Sequence, residues 1–235
     1  MKLSQRLFKI AELVPRNSIV GDIGTDHGYI PAYLVLNNIS KKVIGTDISK
    51  GSLEKIIEFV KERGIEDKVD SRLGDGLDPI LEYEIDTVII AGMGGLLIRD
   101  ILEKDLKKTN SIVNFILQPM VAVKELRKYL VENSFEIIGE ELVKEDGKFY
   151  EIIHAKRGKS HVDKELYYEI SPLLIKDKHG LLKEFISFKL KELRAILSQV
   201  ENIDTEKSRE RYIEINEKIL WYKEALKEVE SERDN

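Results

Sequence analysis

The chain has 235 residues, 42% hydrophobic and 34% charged, with a formal net charge of -5. That composition suits a globular protein with one sizeable domain and an appendage, and it argues against wrapping nucleic acid non-specifically, which needs a local excess of Lys and Arg. No apolar run approaches the roughly 20 residues of a membrane span, and the lack of cysteine excludes disulfides, thiolate metal sites and thiol nucleophiles, so a cytoplasmic protein is expected.

The opening "MKLSQRLFKIAELV" places Leu3, Leu7, Ile10, Leu13 and Val14 on one helical face. With Glu12 and no small-residue cleavage site, it reads as an amphipathic helix and not a signal peptide. From about residue 18 to 157, short apolar runs then alternate with helical patterns. "SIVGDIG" predicts a strand and "YIPAYLVLNN" a helix. "KKVIGTDIS" predicts a second strand, followed by an amphipathic helix, "KGSLEKIIEFVKERG", ending at Gly64. "KVDSRLGDGL" is a short third strand with its loop, and "IDTVIIAGMGG" a fourth strand running into glycines. "LLIRDILEKDL" is helical, "SIVNFILQPM" a fifth strand, and "VAVKELRKYLVENS" a further helix. Repeated strand–helix units imply a parallel sheet with helices on both faces. "FEIIGEELVKEDGKFYEIIHAKR" breaks the alternation: two strand-like runs flank Asp146-Gly147 with no helix between, a hairpin signal.

After a polar stretch ("GKSHVDKE"), two long helices are expected over 181–202 and 206–231. Ile186, Leu190, Leu193, Leu197 and Val200 in the first, and Tyr212, Ile215, Ile219, Tyr222, Leu226 and Val229 in the second, recur in steps of three and four. That spacing predicts a coiled-coil seam, and the short "NIDTE" link makes the helices antiparallel neighbours.

In an open parallel sheet the ligand sits at the carboxyl ends of the strands. After the first strand lie Asp22, Gly24, Asp26, His27 and Gly28; after the second, Asp47; after the third, Gly74-Asp75-Gly76. The fourth is followed by Gly92-Met93-Gly94-Gly95 and the fifth by Gln118-Pro119. A pyrophosphate would be repelled by Asp22 and Asp26, and the dinucleotide fingerprint G-x-G-x-x-G is absent. Asp47 suits a ribose diol, whose hydroxyls donate to a carboxylate, and Asp75 an adenine amino group. A cofactor with ribose, adenine and a positive centre but no phosphate satisfies these positions, and S-adenosylmethionine fits. Each position has a plainer reading. Asp47 or Ser49 would cap the next helix, Asp75 would be a turn residue, and His27 a polar loop side chain. The other three histidines (His154, His161, His179) show no metal-like spacing.

Together, "DIGTDHGYIP", "IAGMGG", "LQPM" and "EDGKFYEI" resemble the bacterial tRNA (adenine-N1)-methyltransferase family that modifies adenine 22 of tRNA. "LSQRL" and the C-terminal helical pair extend the resemblance over almost the whole chain. The chain departs from the family at Met120, where Asn is expected after "LQP". The resemblance implies a Rossmann-like class I methyltransferase sheet closed by an antiparallel hairpin (residues 1–157). It also implies a C-terminal antiparallel coiled coil (158–235) that helps hold tRNA. S-adenosylmethionine would be the donor, lined by Asp22, Gly24, His27, Gly28, Asp47, Ile48, Asp75, Gly76, Gly92 and Met93. Asp26, where the general methyltransferase pattern has glycine, is implied as the catalytic acid. Arg6, Tyr29, Gln118 and Pro119 are implied on the substrate side, with Arg6 open to the cofactor carboxylate or to a solvated role.

The fourth strand lacks the Asn/Asp-Pro-Pro-aromatic run typical of exocyclic-amine methylation, whereas a ring nitrogen already presents a lone pair. Met93, Gly94 and Gly95 are expected to leave room for an extruded base beside the cofactor. The rivals are a methyltransferase of a small molecule or protein, and a non-enzymatic nucleotide-binding scaffold that uses the helical pair. A basic cluster of Lys183, Lys189, Arg194, Lys207, Arg209 and Arg211 on one side would favour RNA; interspersed acids leave this open.

Overall fold

The computed structural model describes residues 1–201, 203 and 205–231. The chain divides into two compact units, Met1–Ser160 and His161–Asn235.

The first unit begins with helix α1 (Gln5–Glu12), whose N-cap Ser4 accepts from the Leu7 amide. Strand β1 (Ser18–Ile23) leads to α2 (Tyr29–Leu36), β2 (Ser40–Asp47), α3 (Lys50–Lys61) and β3 (Val69–Leu73). Then come β4 (Thr87–Met93), α4 (Gly95–Lys104), α5 (Leu106–Ser111), β5 (Asn114–Pro119), α6 (Val123–Glu132), β6 (Phe135–Glu145) and β7 (Lys148–Arg157). Helix α3 stops at Lys61, short of the expected Gly64, which sits past the end with φ +61°. Helix α5 is a short turn that the apolar period does not announce.

The seven strands order as β3-β2-β1-β4-β5-β7-β6. All neighbours up to β5 are parallel; β7 runs antiparallel to both β5 and β6. Strand alternation decides which core each side chain enters. Val88 and Ile90 of β4, with Phe115 and Leu117 of β5, pack on one face against Ile98, Leu102 and Leu126 from α4 and α6. Their neighbours Ile89 and Ile116 enter the opposite face, with Ile10, Val35 and Ile56 from α1, α2 and α3. The hairpin turns at Asp146 and Gly147, with φ of +49° and +74°. Positive φ at both central residues matches a turn whose twist suits the strands it joins.

One charged group lies deep in this scaffold. Arg127 of α6 is 1% exposed, and its Nε donates to Glu140 of β6 at 2.8 Å and its Nη2 to Glu151 of β7 at 2.5 Å. Burial disfavours the guanidinium charge, but the two carboxylates outweigh it and raise its pKa. The triad fastens α6 to the closing hairpin.

The second unit holds α7 (Leu166–Glu169), α8 (Pro172–Lys176), α9 (Leu182–Val200) and α10 (Glu206–Ser231). The long helices pack against each other. Leu182, Phe185, Ile186 and Leu190 of α9 are buried, as are Ile215, Ile219, Tyr222, Ala225 and Val229 of α10. Leu193, Leu197 and Val200 are only half-buried and Tyr212 is exposed, so the expected seam is tight at one end and open toward the link. Lys164 braces α10 through Glu224 at 2.8 Å and Glu228 at 2.9 Å. The linking residues 202 and 204, within the expected antiparallel turn, lie outside the described residues. No helix among the described residues is long and apolar enough to cross a membrane.

Candidate active site

Strand order reverses between β1 and β4, so the connections leave toward opposite faces and open a crevice at their carboxyl ends. A cavity of about 380 Å³ lies there, lined by Asp22, Gly24, Thr25, Asp26, His27 and Tyr29 from the first turn, with Ala91, Gly92 and Arg6. Glycine is required at two of these places. Gly24 has φ +72°, and a Cβ there would collide with the Met93 methyl group; Gly92 has φ +79° beside the Arg6 guanidinium. Gly28, with φ +69°, is the N-cap of α2.

Asp22 ends a buried strand and is 4% exposed. Burial pushes its carboxyl up to about 6. Among the described residues no Lys, Arg or His lies within ion-pair distance of it. A buried acid without a cation favours a positively charged ligand, because a cation placed beside it would recover the lost solvation.

Asp26 contrasts with it. Its side chain is 66% exposed, and the His27 Nδ1–H donates to its Oδ2 at 2.8 Å. Its φ is +48°, the left-handed region. That region suits the glycine of the general pattern and is also one that aspartate adopts more readily than most residues. His27 stacks on Tyr29 with ring centroids 5.3 Å apart, and Phe59 of α3 meets Tyr29 edge-on at 5.2 Å. The loop thus aims one carboxylate over the cavity and supports it with an aromatic stack.

The remaining expected residues divide. Asp47 ends β2 half-buried, and its Oδ1 accepts from the Ser49 amide at 2.7 Å. The cap of α3 is Ser49, which accepts from Ser52 at 3.2 Å, so the cap does not require Asp47. Ile48 is 74% exposed beside it. Asp75 turns to Lys104, 2.9 Å away, and is not among the residues lining the cavity. Gly76 takes φ +56°, and its carbonyl accepts from the Thr46 hydroxyl at 3.2 Å. Gln118 is fully buried and Pro119 buried at the end of β5. Gly95 serves a different purpose from the one expected. A Cβ there would strike the Ala122 carbonyl oxygen, so its smallness lets α4 begin against the loop after β5 and does not clear space for a base. Thr25, Leu7, Ile30 and Ala91 also line the cavity, and sequence reasoning misses them. Thr25 sits between two assigned residues, and Leu7 is one residue from Arg6, so proximity is their only signal.

The family described as tRNA (adenine(22)-N(1))-methyltransferase matches residues 20–224. The chain belongs to this family. It is 33% identical over 236 residues to the tRNA (adenine(22)-N(1))-methyltransferase of Bacillus subtilis, covering 96% of this chain and 98% of that one. The crystal structure of the B. subtilis tRNA methyltransferase TrmK superposes with a TM-score of 0.87 at 32% identity, covering 96% and 99% of the two chains. M. capricolum TrmK, solved with the cofactor product S-adenosylhomocysteine, superposes with a TM-score of 0.83 at 29% identity, over 97% and 100%. Family membership settles the Rossmann-like sheet with its closing hairpin and C-terminal helices. It brings with it the class of reaction for which the crevice must be read.

Proposed function

We propose that this protein transfers a methyl group from S-adenosylmethionine to N1 of adenine 22 in tRNA, with Asp26 beside the reacting base. The observation that carries the reading is the crevice between β1 and β4: a buried acid with no cation beside it and two glycines at positive φ, overlooked by an exposed acid. Those features fit a cationic nucleoside without phosphates.

S-adenosylmethionine supplies a methyl group on a cationic sulfur; the N1 lone pair forms the new N–C bond while the electrons of the C–S bond return to sulfur. Asp22 takes the ammonium of the donor's amino acid, and Asp47, with Oδ2 not engaged by the Ser49 amide, takes ribose hydroxyls. The rim beside Ile48 and Gly76 takes the adenine ring. N1 has to be unpaired or extruded, a cost of a few kcal/mol. Tyr29 and His27 offer an aromatic surface where the base enters; Gln118 and Pro119, buried at the end of β5, act behind the cavity wall through the Gln118–Arg6 bond. Asp26 stabilises the positive charge that grows on the base and accepts a proton from its amino group; His27 holds that carboxylate in place. We assign methyl transfer to residues 1–157 and a share of tRNA holding to residues 158–235, and place this work in the cytoplasm. In that second part Lys183, Lys189 and Arg211 are engaged by Glu230, Glu192 and Glu214.

The test is methyl transfer from labelled donor to bulk tRNA, with the modified nucleotide mapped. Label on N1 of adenine 22 is expected; label on a small molecule or protein, or none, overturns the reading. Asp26→Asn is expected to lower single-turnover transfer by about 100- to 1,000-fold while cofactor affinity changes far less. Equal loss of both would make Asp26 a binding residue.

A further inference from the structure

Two loops at the carboxyl end of the sheet expose apolar side chains that the core does not use. The first turn of α4 presents Leu96 and Leu97, and the loop from β5 to α6 presents Met120 and Val121; all four are between 44% and 65% exposed. The two loops adjoin. The Met120 amide donates to the Met93 carbonyl at 2.8 Å, and the Gly95 amide to the Val121 carbonyl at 2.8 Å. A Cβ built on Gly94 would stand 3.6 Å from the Val121 side chain. Apolar exposure stops at these loops. Farther along the same helices the exposed residues are Asp100, Glu103 and Lys104 on α4, and Glu125, Lys128 and Glu132 on α6.

The patch is stiff and lies beside the reaction cavity. Ala122, the N-cap of α6, has φ +57°, a region that a Cβ makes costly, and its carbonyl sits against Gly95, where any side chain would collide. Gly92, which lines the cavity, is two residues before Gly94. A stable interface with a second protein takes about 20–30 residues a side, and the charges that bound this patch leave four. Its side chains are aliphatic, whereas a platform for single-stranded bases uses aromatic rings or arginine. Leucine and methionine are among the side chains that proteins insert between base steps of a nucleic acid. Extrusion of an adenine leaves a gap of that kind, walled by base faces that have lost their stacking partner.

We infer that Leu96 and Leu97 with Met120 and Val121 form a wedge that enters the RNA stack where the target adenine leaves it. The wedge fills the gap and keeps the adenine from returning while it occupies the cavity. This rests on the tRNA reading above. The two sides of the crevice then divide the work: His27 and Tyr29 receive the base, and the β4 and β5 loops replace it in the stack. Contact with base faces is apolar and tolerant of sequence, so the wedge responds to an opened stack and not to the identity of its neighbours.

The test is single-turnover methyl transfer to two tRNA transcripts, one intact and one with an abasic site facing adenine 22, which leaves that base already loosened. Leu97→Ser and Val121→Ser are expected to lower transfer to the intact transcript by about 10- to 100-fold, the scale of one unstacked base step, and to the abasic transcript by less than about threefold. Val121→Ile, which keeps an apolar wedge, is expected to retain transfer to both. Unchanged affinity for S-adenosylhomocysteine shows that each variant is folded. With 2-aminopurine in place of the target adenine, the fluorescence rise that reports unstacking is expected to shrink in the serine variants. Equal loss on both transcripts would place these residues in the pocket for the base and overturn the proposal. So would no loss on either, or self-association of the wild-type protein that the serine variants abolish. A wild-type protein that methylates neither transcript would overturn the tRNA reading itself, and the wedge with it.

Discussion

Two places in the first unit bury charge, and they do it in opposite ways. Where α6 meets the closing hairpin, Arg127 is matched by Glu140 and Glu151 at hydrogen-bonding distance. At the end of β1, Asp22 is buried with no cation, and its carboxyl titrates near 6 as a result. The scaffold satisfies its buried charges from within, whereas the crevice leaves one to be satisfied by a ligand. Unbalanced charge in a cavity, more than the cavity's size, is what separates site from scaffold here.

The sharpest way to break this contrast is to unbalance the scaffold. Arg127→Met leaves two buried carboxylates without their cation and is expected to cost about 3–5 kcal/mol, read from denaturant unfolding. Replacing all three members with apolar residues is expected to recover most of that loss. If the single and triple variants are equally unstable, packing and not charge balance governs the region.

The second prediction has the opposite sign. Asp22 is more easily protonated in the fold than in the unfolded chain, so the stability it confers is full below about pH 4 and is lost as pH rises through about 6. Asp22→Asn removes that penalty and is expected to stabilise the ligand-free protein near neutral pH by up to about 3 kcal/mol, since a tenfold change in proton affinity is worth about 1.4 kcal/mol. Melting temperatures across this pH range would show the wild-type and variant curves converging toward acid. Parallel curves would return Asp22 to the company of ordinary carboxylates.

A smaller effect is expected at Asp47, which is only half-buried. Asp47→Ala is expected to weaken cofactor binding by about 1.5–3 kcal/mol, as measured by titration, if its carboxylate takes the ribose hydroxyls. Unchanged affinity in a folded variant would limit Asp47 to holding the Ser49 amide.

The contrast also marks what can be read from the chain alone. The doubly wound sheet is legible because its strands are short apolar runs separated by periodic helices, and Asp146-Gly147 announces the hairpin through its turn chemistry. The acids at the strand ends are legible because a parallel sheet fixes where such loops must gather. Helices α5, α7 and α8 are not, being too short to show a period. Nor is the Arg127 triad, since one arginine and two glutamates on separate elements look like surface charges until the hairpin folds over α6. Arg6 stands out within "LSQRL", but its bond to Gln118 spans 112 positions and leaves no local pattern. Asp75 carries a contact of the same hidden kind: its place between glycines suggests the cofactor, while its bond to Lys104 of a later helix spans 29 positions.

The central claim, that Asp22 is left without a cation for the donor's ammonium, is tested most directly by calorimetry of S-adenosylhomocysteine binding from about pH 5 to pH 8, in buffers of different ionisation enthalpy. Binding to the ionised carboxylate predicts an affinity that falls about tenfold per pH unit below about 6, with proton release on binding. The control ligand 5′-methylthioadenosine, which shares the nucleoside but has no amino acid, should show no such slope, and Asp22→Asn should abolish it, although Asp26 and His27 face the same cavity. An affinity for S-adenosylhomocysteine that does not change across this range, or a slope that survives in Asp22→Asn, would contradict the account.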